Sequence, residues 1–273
     1  MNNAPLSESE HLLLLHRHLS ECMGGILPAA LDIARVKRVL DVECGAGGWV
    51  YDLAWRYPSL YVVGTESRPH LAREAHALVS RAGNAEVIEQ DIHSLSDQAV
   101  PPASFDLVHA RFLVSKLTPM EYPAILESLT RRCRTGGMFV WEEPEYPLTN
   151  SPACEQFYRL IQDALQAAGR AFSPGPSLGI TAQMSNWHKA SGCHIMLDTA
   201  YALDISATMK GHAAFQQQLE LMSKQLRPFL LRTEVTTEAD FDKLYEQAQQ
   251  EIAGVGFRGV VYVRTMVGTT ERA

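Results

Sequence analysis

The sequence predicts an α/β fold: an open, mostly parallel sheet with helices packed against it. Three observations carry the prediction. Short apolar runs alternate with segments of helical spacing along most of the chain. The first run, Lys37 to Val42, breaks into the turn Gly45-Ala46-Gly47-Gly48 and restarts as a helix. Acids stand at or beside the ends of three successive runs, Asp41, Glu66 and Asp91. In such sheets ligands lie outside the carboxyl ends of the strands, so one ligand would meet all three.

Taken in order, residues 1–36 precede the first strand. Ser7-x-x-Glu10 is a capping box, and Leu12, Leu15 and Leu19 follow at helical spacing, which predicts a helix over 8–22. Met23-Gly24-Gly25 ends it, and Pro28 opens a shorter helix toward Ala34. His16, Arg17 and His18 read as a solvated face. The first strand is apolar at Val39, Leu40 and Val42. In the turn, Gly45, Gly47 and Gly48 let the backbone bend sharply and approach a ligand that a Cβ would obstruct. Trp49 to Tyr57 continues as a helix with Trp49, Leu53 and Ala54 on one face, and Pro58 stops it. Strand, glycine turn and helix make half of a βαβ nucleotide site.

Leu60 to Thr65 is the second strand. Glu66 at its end is spaced from the turn as a ribose-binding acid is, because a carboxylate accepts from two hydroxyls at once. Glu66 and Ser67 also read as caps of the helix that begins near Arg68. A helix over 70–81, a third strand over 85–89 and a fourth over 104–110 follow, the fourth carrying His109 and Arg111 at its edge. A helix over 121–133, the turn Arg134-Thr135-Gly136-Gly137 and a fifth strand over 138–141 lead to Glu142 and Glu143. The sheet is completed late, by 194–205 and 259–267. Helices over 152–168 and 180–190 flank the loop Ser173-Pro174-Gly175-Pro176. Two more, over 207–230 and 238–252, lie between the last strands, with Thr237-x-x-Asp240 an approximate cap.

The chain therefore reads as one domain over 1–273, with a helical cover made of 1–36 and of insertions at 145–190 and 206–255. Its 273 residues are ample for a core, and 46% apolar against 20% charged residues is the balance of a globular protein. A formal charge of −7 argues against nucleic-acid and anionic-membrane partners and favours a small molecule. The five cysteines are scattered and read as reduced core residues, and no cluster of ligands suggests a metal. The apolar run Leu12 to Leu15 is too short for a signal segment or a membrane span, so a cytoplasmic location is expected, and a homodimer is compatible with the sequence.

The turn is not a dinucleotide fingerprint, since Val50 stands where Gly-x-Gly-x-x-Gly requires its third glycine. Asp41-Val42-Glu43-Cys44-Gly45-Ala46-Gly47 instead resembles the motif of class I S-adenosylmethionine (SAM) methyltransferases, commonly Asp-x-Gly-x-Gly-x-Gly. Phe105-Asp106-Leu107-Val108 resembles the family's Phe-Asp-x-Val segment. The overall pattern is similar to bacterial small-molecule methyltransferases with helical insertions. The resemblance implies a Rossmann-like sheet of strand order 3-2-1-4-5-7-6 with the last strand antiparallel. It implies SAM as cofactor and S-adenosylhomocysteine (SAH) as product. Asp41, Glu43, Gly45 and Gly47 would form the cofactor turn, with Glu66 and Ser67 at the ribose. Asp91 would accept from the adenine amino group, with the Ile92 N–H at the ring. His109, Ala110 and Arg111 would edge the site, and His109 and Glu142 are the catalytic candidates, with Glu143 and His188 as further bases. The N-terminal helix would close over the cofactor, which gives His16, Arg17 or His18 a second reading as a residue that reaches it.

Glu43 departs from the pattern by replacing a glycine. It either points to solvent, holds the ligand's amino group or marks a damaged site. Tyr146, Phe157, Tyr158, Phe172, Met184, Trp187 and Met209 either line an apolar acceptor pocket or pack helices. The signatures of nucleobase or glutamine amino methylation (Asn-Pro-Pro-Tyr, Asp-Pro-Pro-Tyr) and the Pro-Cys nucleophile are absent. The leading expectation is metal-independent methyl transfer from SAM to a small, partly apolar molecule at O, N or C. The alternatives are a non-catalytic or repurposed protein of this fold, motivated by Glu43, and an NAD-dependent oxidoreductase, which Val50 and Asp91 disfavour.

Overall fold

The computed structural model describes residues 6–270. Helix α1 (Glu8–Cys22) starts at the capping box: Ser7 Oγ accepts from the Glu10 N–H and Glu10 Oε2 from the Ser7 N–H. The shorter helix expected after Pro28 does not form. Leu31 N–H bonds Pro28 O at 3.0 Å, while Asp32 Oδ1 captures the Ala34 N–H at 2.9 Å. A local aspartate bond competes with the helical ladder, and so short a segment cannot offset the cost of nucleation.

Alternation of strand and helix then runs as expected: β1 (Arg38–Val42), α2 (Gly48–Arg56), β2 (Tyr61–Glu66), α3 (Pro69–Val79), β3 (Ala85–Glu89), β4 (Phe105–Arg111), α4 (Tyr122–Thr130) and β5 (Cys133–Pro144). The order continues β6 (Leu148–Thr149), α5 (Pro152–Ala167), α6 (Ile180–Ala190), β7 (Cys193–Asp204), α7 (His212–Arg232), α8 (Glu238–Ala253) and β8 (Gly259–Thr270). Helix α4 ends early because Cys133 already pairs with Phe105 in the sheet. The expected turn over 134–137 is a bulge inside β5, with Gly136 at φ 71° and pairing resumed at Met138–Leu107.

The sheet has eight strands in the order β3-β2-β1-β4-β5-β8-β6, with β7 also on β8. β1 pairs in parallel with β2 and β4, β2 with β3, and β4 with β5. β8 is antiparallel to β5: Thr270 Oγ1 reaches Arg134 O and Thr265 Oγ1 reaches Glu142 Oε1, so partners descend as β5 ascends. With the two-residue β6 set aside, this is the expected order, and β6 is the one strand the sequence pattern did not show. Asp106 ties the strand starts together. Its Oδ2 accepts from the Lys37 and Arg38 N–H groups at 2.5 and 2.9 Å, and Arg134 Nε lies 2.6 Å from Oδ1.

The chain divides into two compact units. Among the described residues, the first holds 6–143, 183–199 and 264–270. Its core is built on Val39, Val50, Leu53, Val62, Ala75, Val79, Leu107 and Val140, where strand apolar positions meet the buried faces of α2 and α3. The second holds 144–182 and 200–263, with its own core around Phe157, Ile161, Phe215, Leu219, Leu230, Phe241 and Phe257. The aromatic candidates divide accordingly. Phe157 and Tyr158 are buried in the second core, whereas Trp187 stacks on Tyr122 in the first unit at 5.0 Å. Among the described residues no helix is long and apolar enough to cross a membrane.

Candidate cofactor-binding site

The site lies wholly in the first unit, where β1, β2 and β4 end. Its turn needs its glycines: Gly45 and Gly47 have φ of 59° and 78°. A Cβ on Gly47 would also stand 3.0 Å from Ala75 Cβ, so the turn packs directly on α3. α1 closes over the same turn, since a Cβ on Gly48 would lie 2.8 Å from the His16 ring. His16, read from sequence as solvated, is buried there. Its Nε2 pairs with Asp52 at 2.9 Å and its Nδ1 faces Arg111 Nη2 at 3.2 Å. His18 is buried too, while Arg17 is exposed, so the expected solvated face is reduced to Arg17.

Glu66 is fully buried. Its Oε2 accepts from the Gly45 N–H at 2.9 Å, and its Oε1 from the Arg68 N–H and Nε at 3.0 and 2.8 Å. Burial alone would push its carboxyl up. The Arg68 bonds and the Lys116 charge outweigh burial and hold it below the usual range.

Glu43 sits in the left-handed region at φ 55°, which is why glycine is the common residue there. Its side chain does not point to solvent, being 4% exposed. Oε2 meets Lys116 Nζ at 3.0 Å and accepts from Ser67 Oγ at 3.0 Å. Oε1 is buried with no hydrogen-bond partner. Burial raises the Glu43 carboxyl and the Lys116 charge opposes that rise.

Behind the turn lies a buried charge array. Asp41 Oδ1 meets His109 Nδ1 at 2.7 Å, and Glu142 Oε2 stands 3.7 Å from Nε2, outside hydrogen-bond reach. Trp49 stacks flat on His109 at 4.0 Å and donates its indole N–H to Ile26 O. Burial works against the imidazolium, but Asp41 and Glu142 prevail and raise the His109 value. His109 is 1% and Glu142 4% exposed. Ala110 is buried beside them and Arg111 is half-buried.

Asp91 is exposed at the end of β3, accepting from the His93 N–H and meeting the His93 ring, while Ile92 is buried. Glu143 is sealed in the core, held by Trp141 Nε1 and Tyr122 OH at 2.8 and 2.9 Å; burial pushes its carboxyl up to about 7 against those donors. The sequence reading missed Lys116, Arg68 and the burial of His16. The signal for Lys116 was available: a lone cation just beyond the fourth strand, where acids end the neighbouring strands.

His188 is buried against Phe139 and Trp141 with both ring nitrogens lacking hydrogen-bond partners. Burial depresses its value from 6.5 to about 4. Between those values the unfolded chain binds the extra proton, so stability is expected to fall as pH drops through this window. His188→Leu should flatten that slope in urea titrations. An unchanged slope would show that His188 does not set it.

A family model described as a methyltransferase domain matches residues 39–137. Trans-aconitate 2-methyltransferase of Methylobacterium nodulans is 25% identical over 228 residues, 82% of either chain. Methyltransferase str3 of Strobilurus tenacellus is 25% identical over 140 residues, 51% of this chain. That match spans about half of the relative, 47% of its length. A methyltransferase-fold structure from Bacillus halodurans C-125 superposes with a TM-score of 0.55 at 15% identity, covering 93% of this chain and 99% of the other. The [4+2]-cyclase SpnF superposes at 0.52 with 14% identity over 100% of both chains. These structural likenesses establish the fold, and the motif, the strand order and the relatives agree with it. Residues 39–137 thus match a methyltransferase domain, and in motif and strand order the chain is similar to the class I SAM-dependent methyltransferases.

Proposed function

We propose that the chain transfers a methyl group from SAM to a small, partly apolar molecule at O, N or C, without a metal. The observation that carries the reading is the acid array around the glycine turn, with one buried oxygen, Glu43 Oε1, left without a partner. A buried carboxylate oxygen is costly without a donor, and an ammonium group supplies one. Glu43 would hold the amino group of SAM or SAH, and Glu66 would accept from the ribose hydroxyls, releasing part of its hold on Arg68. Asp91 and the Ile92 N–H would take the adenine edge, with Ser67, Ala110 and Arg111 edging the site.

The cofactor supplies a methyl group already activated on a sulfonium. The protein is left to align the acceptor, exclude water and take a proton where the acceptor releases one. The burial of His109 and Glu142 favours a role under the turn, holding Asp41 and the strand ends, over direct contact with an acceptor. The name of the trans-aconitate relative and the net charge of −7 support a small-molecule acceptor over nucleic acid or a membrane.

SpnF, a cyclase by its name, shares the fold, so a repurposed site is the second reading. Thermal-shift titration with SAH and NAD tests the cofactor. Stabilisation by SAH alone is expected, and stabilisation by NAD alone would overturn the reading. SAH release on turnover with candidate small acceptors separates transfer from repurposing.

A further inference from the structure

The turn after β4 carries a cation that the family motif does not call for. Phe112 enters the left-handed region at φ 60°, a short 3-10 turn over Leu113–Ser115 follows, and the Val114 N–H is tied to Glu143 Oε2 at 3.3 Å. This brings the next residue, Lys116, back over the carboxyl ends of β1 and β2. Its Nζ lies 3.0 Å from Glu43 Oε2, 3.4 Å from Ser67 Oγ and 4.0 Å from Glu66 Oε1. Lys116 thus stands between two buried carboxylates and touches only one oxygen of Glu43.

We propose that Lys116 is a positioning residue for the cofactor: by holding Glu43 Oε2 together with Ser67, it fixes the carboxylate so that Oε1 receives the cofactor's ammonium group. The inference rests on the SAM-site reading above. Three observations carry it. A glycine position occupied by glutamate confines that side chain to directions a left-handed backbone allows, and here it runs to Ser67 and Lys116. A carboxylate 4% exposed needs a counter-charge to stay ionised, and Lys116 is the one within salt-bridge distance among the described residues. The remaining oxygen is buried and unpartnered, which is the arrangement a charged donor would complete. Glu43 and Lys116 then act as one unit: the departure from the glycine motif is tolerated because the second residue compensates it.

A double-mutant cycle on the full chain tests this, with SAH as the probe in calorimetry and urea unfolding in its absence. Lys116→Met is expected to weaken SAH binding about five- to ten-fold, and Lys116→Arg to retain most of the affinity. In a Glu43→Gly background, Lys116→Met is expected to change SAH affinity less than about two-fold, because the residue it positions is gone. Without ligand, the two substitutions should couple in their unfolding midpoints. A five-fold loss that persists in the Glu43→Gly background would overturn the positioning role in favour of direct contact between Lys116 and the cofactor. Unchanged affinity in Lys116→Met would overturn it outright. If the wild type failed to bind SAH, the cofactor reading would fall and this role with it, whereas the ligand-free coupling would still report on the ion pair itself.

Discussion

Glu66→Ala is expected to weaken SAH binding about ten-fold or more, the loss of paired hydrogen bonds worth about 1.5–3 kcal/mol. The carboxylate lies at the carboxyl end of β2, fully buried, and already serves the turn through the Gly45 N–H. Its other oxygen is held by Arg68, a side chain one-third exposed whose Nη1 also pairs with Glu8 at 2.6 Å. Exchange of the Arg68 bonds for ribose hydroxyls would keep that oxygen bonded while Arg68 retains Glu8 as its partner, with no rebuilding of the turn. Because the substitution also removes the acceptor of the Gly45 N–H, the variant's melting temperature must be recorded beside its Kd. Unchanged affinity by calorimetry would remove the ribose assignment.

Asp41→Ala should have the largest effect on stability. Asp41 and His109 form a pair with side chains 5% and 2% exposed, 2.7 Å apart under a stacked Trp49. Removing one partner of a buried pair leaves a charge without compensation and costs about 3–5 kcal/mol. The pair also has a pH signature. The folded His109 value is raised above 6.5, so its contribution is fully present below about pH 6.5 and is lost as pH rises through the folded value. Urea midpoints of the wild type should therefore contain a decline on the alkaline side that Asp41→Ala lacks. A loss under about 0.5 kcal/mol, the range of ordinary surface changes, would show that the pair contributes little.

Much of this architecture was legible because local signals and the global fold agree. The capping box set the start of α1, and the alternation of apolar runs with helical spacing located the central strands and their helices. The glycine turn and Glu66 were legible as neighbours because they follow adjacent parallel strands, and the Gly45 N–H bonds that acid. What stayed hidden depends on tertiary packing. His16 looked solvated because nothing in its neighbourhood says that α1 lies on Gly48. The helix after Pro28 lost to a single aspartate bond, and α4 lost its last turn to a strand pairing with Phe105. The direction of Glu43 was open because its partner, Lys116, lies 73 positions further on, as the numbering 43 and 116 gives. Only the bend at Phe112 brings that partner within reach.

Paired calorimetric titrations of the wild type and Glu43→Gly with SAM test whether this site binds SAM with Glu43 as a working part of it. Measurable binding by the wild type and weaker binding by Glu43→Gly are expected, since the buried oxygen that would receive the ammonium group is lost. Tighter binding by the glycine variant, with none detectable in the wild type, would contradict that role and leave a methyltransferase fold used for another purpose.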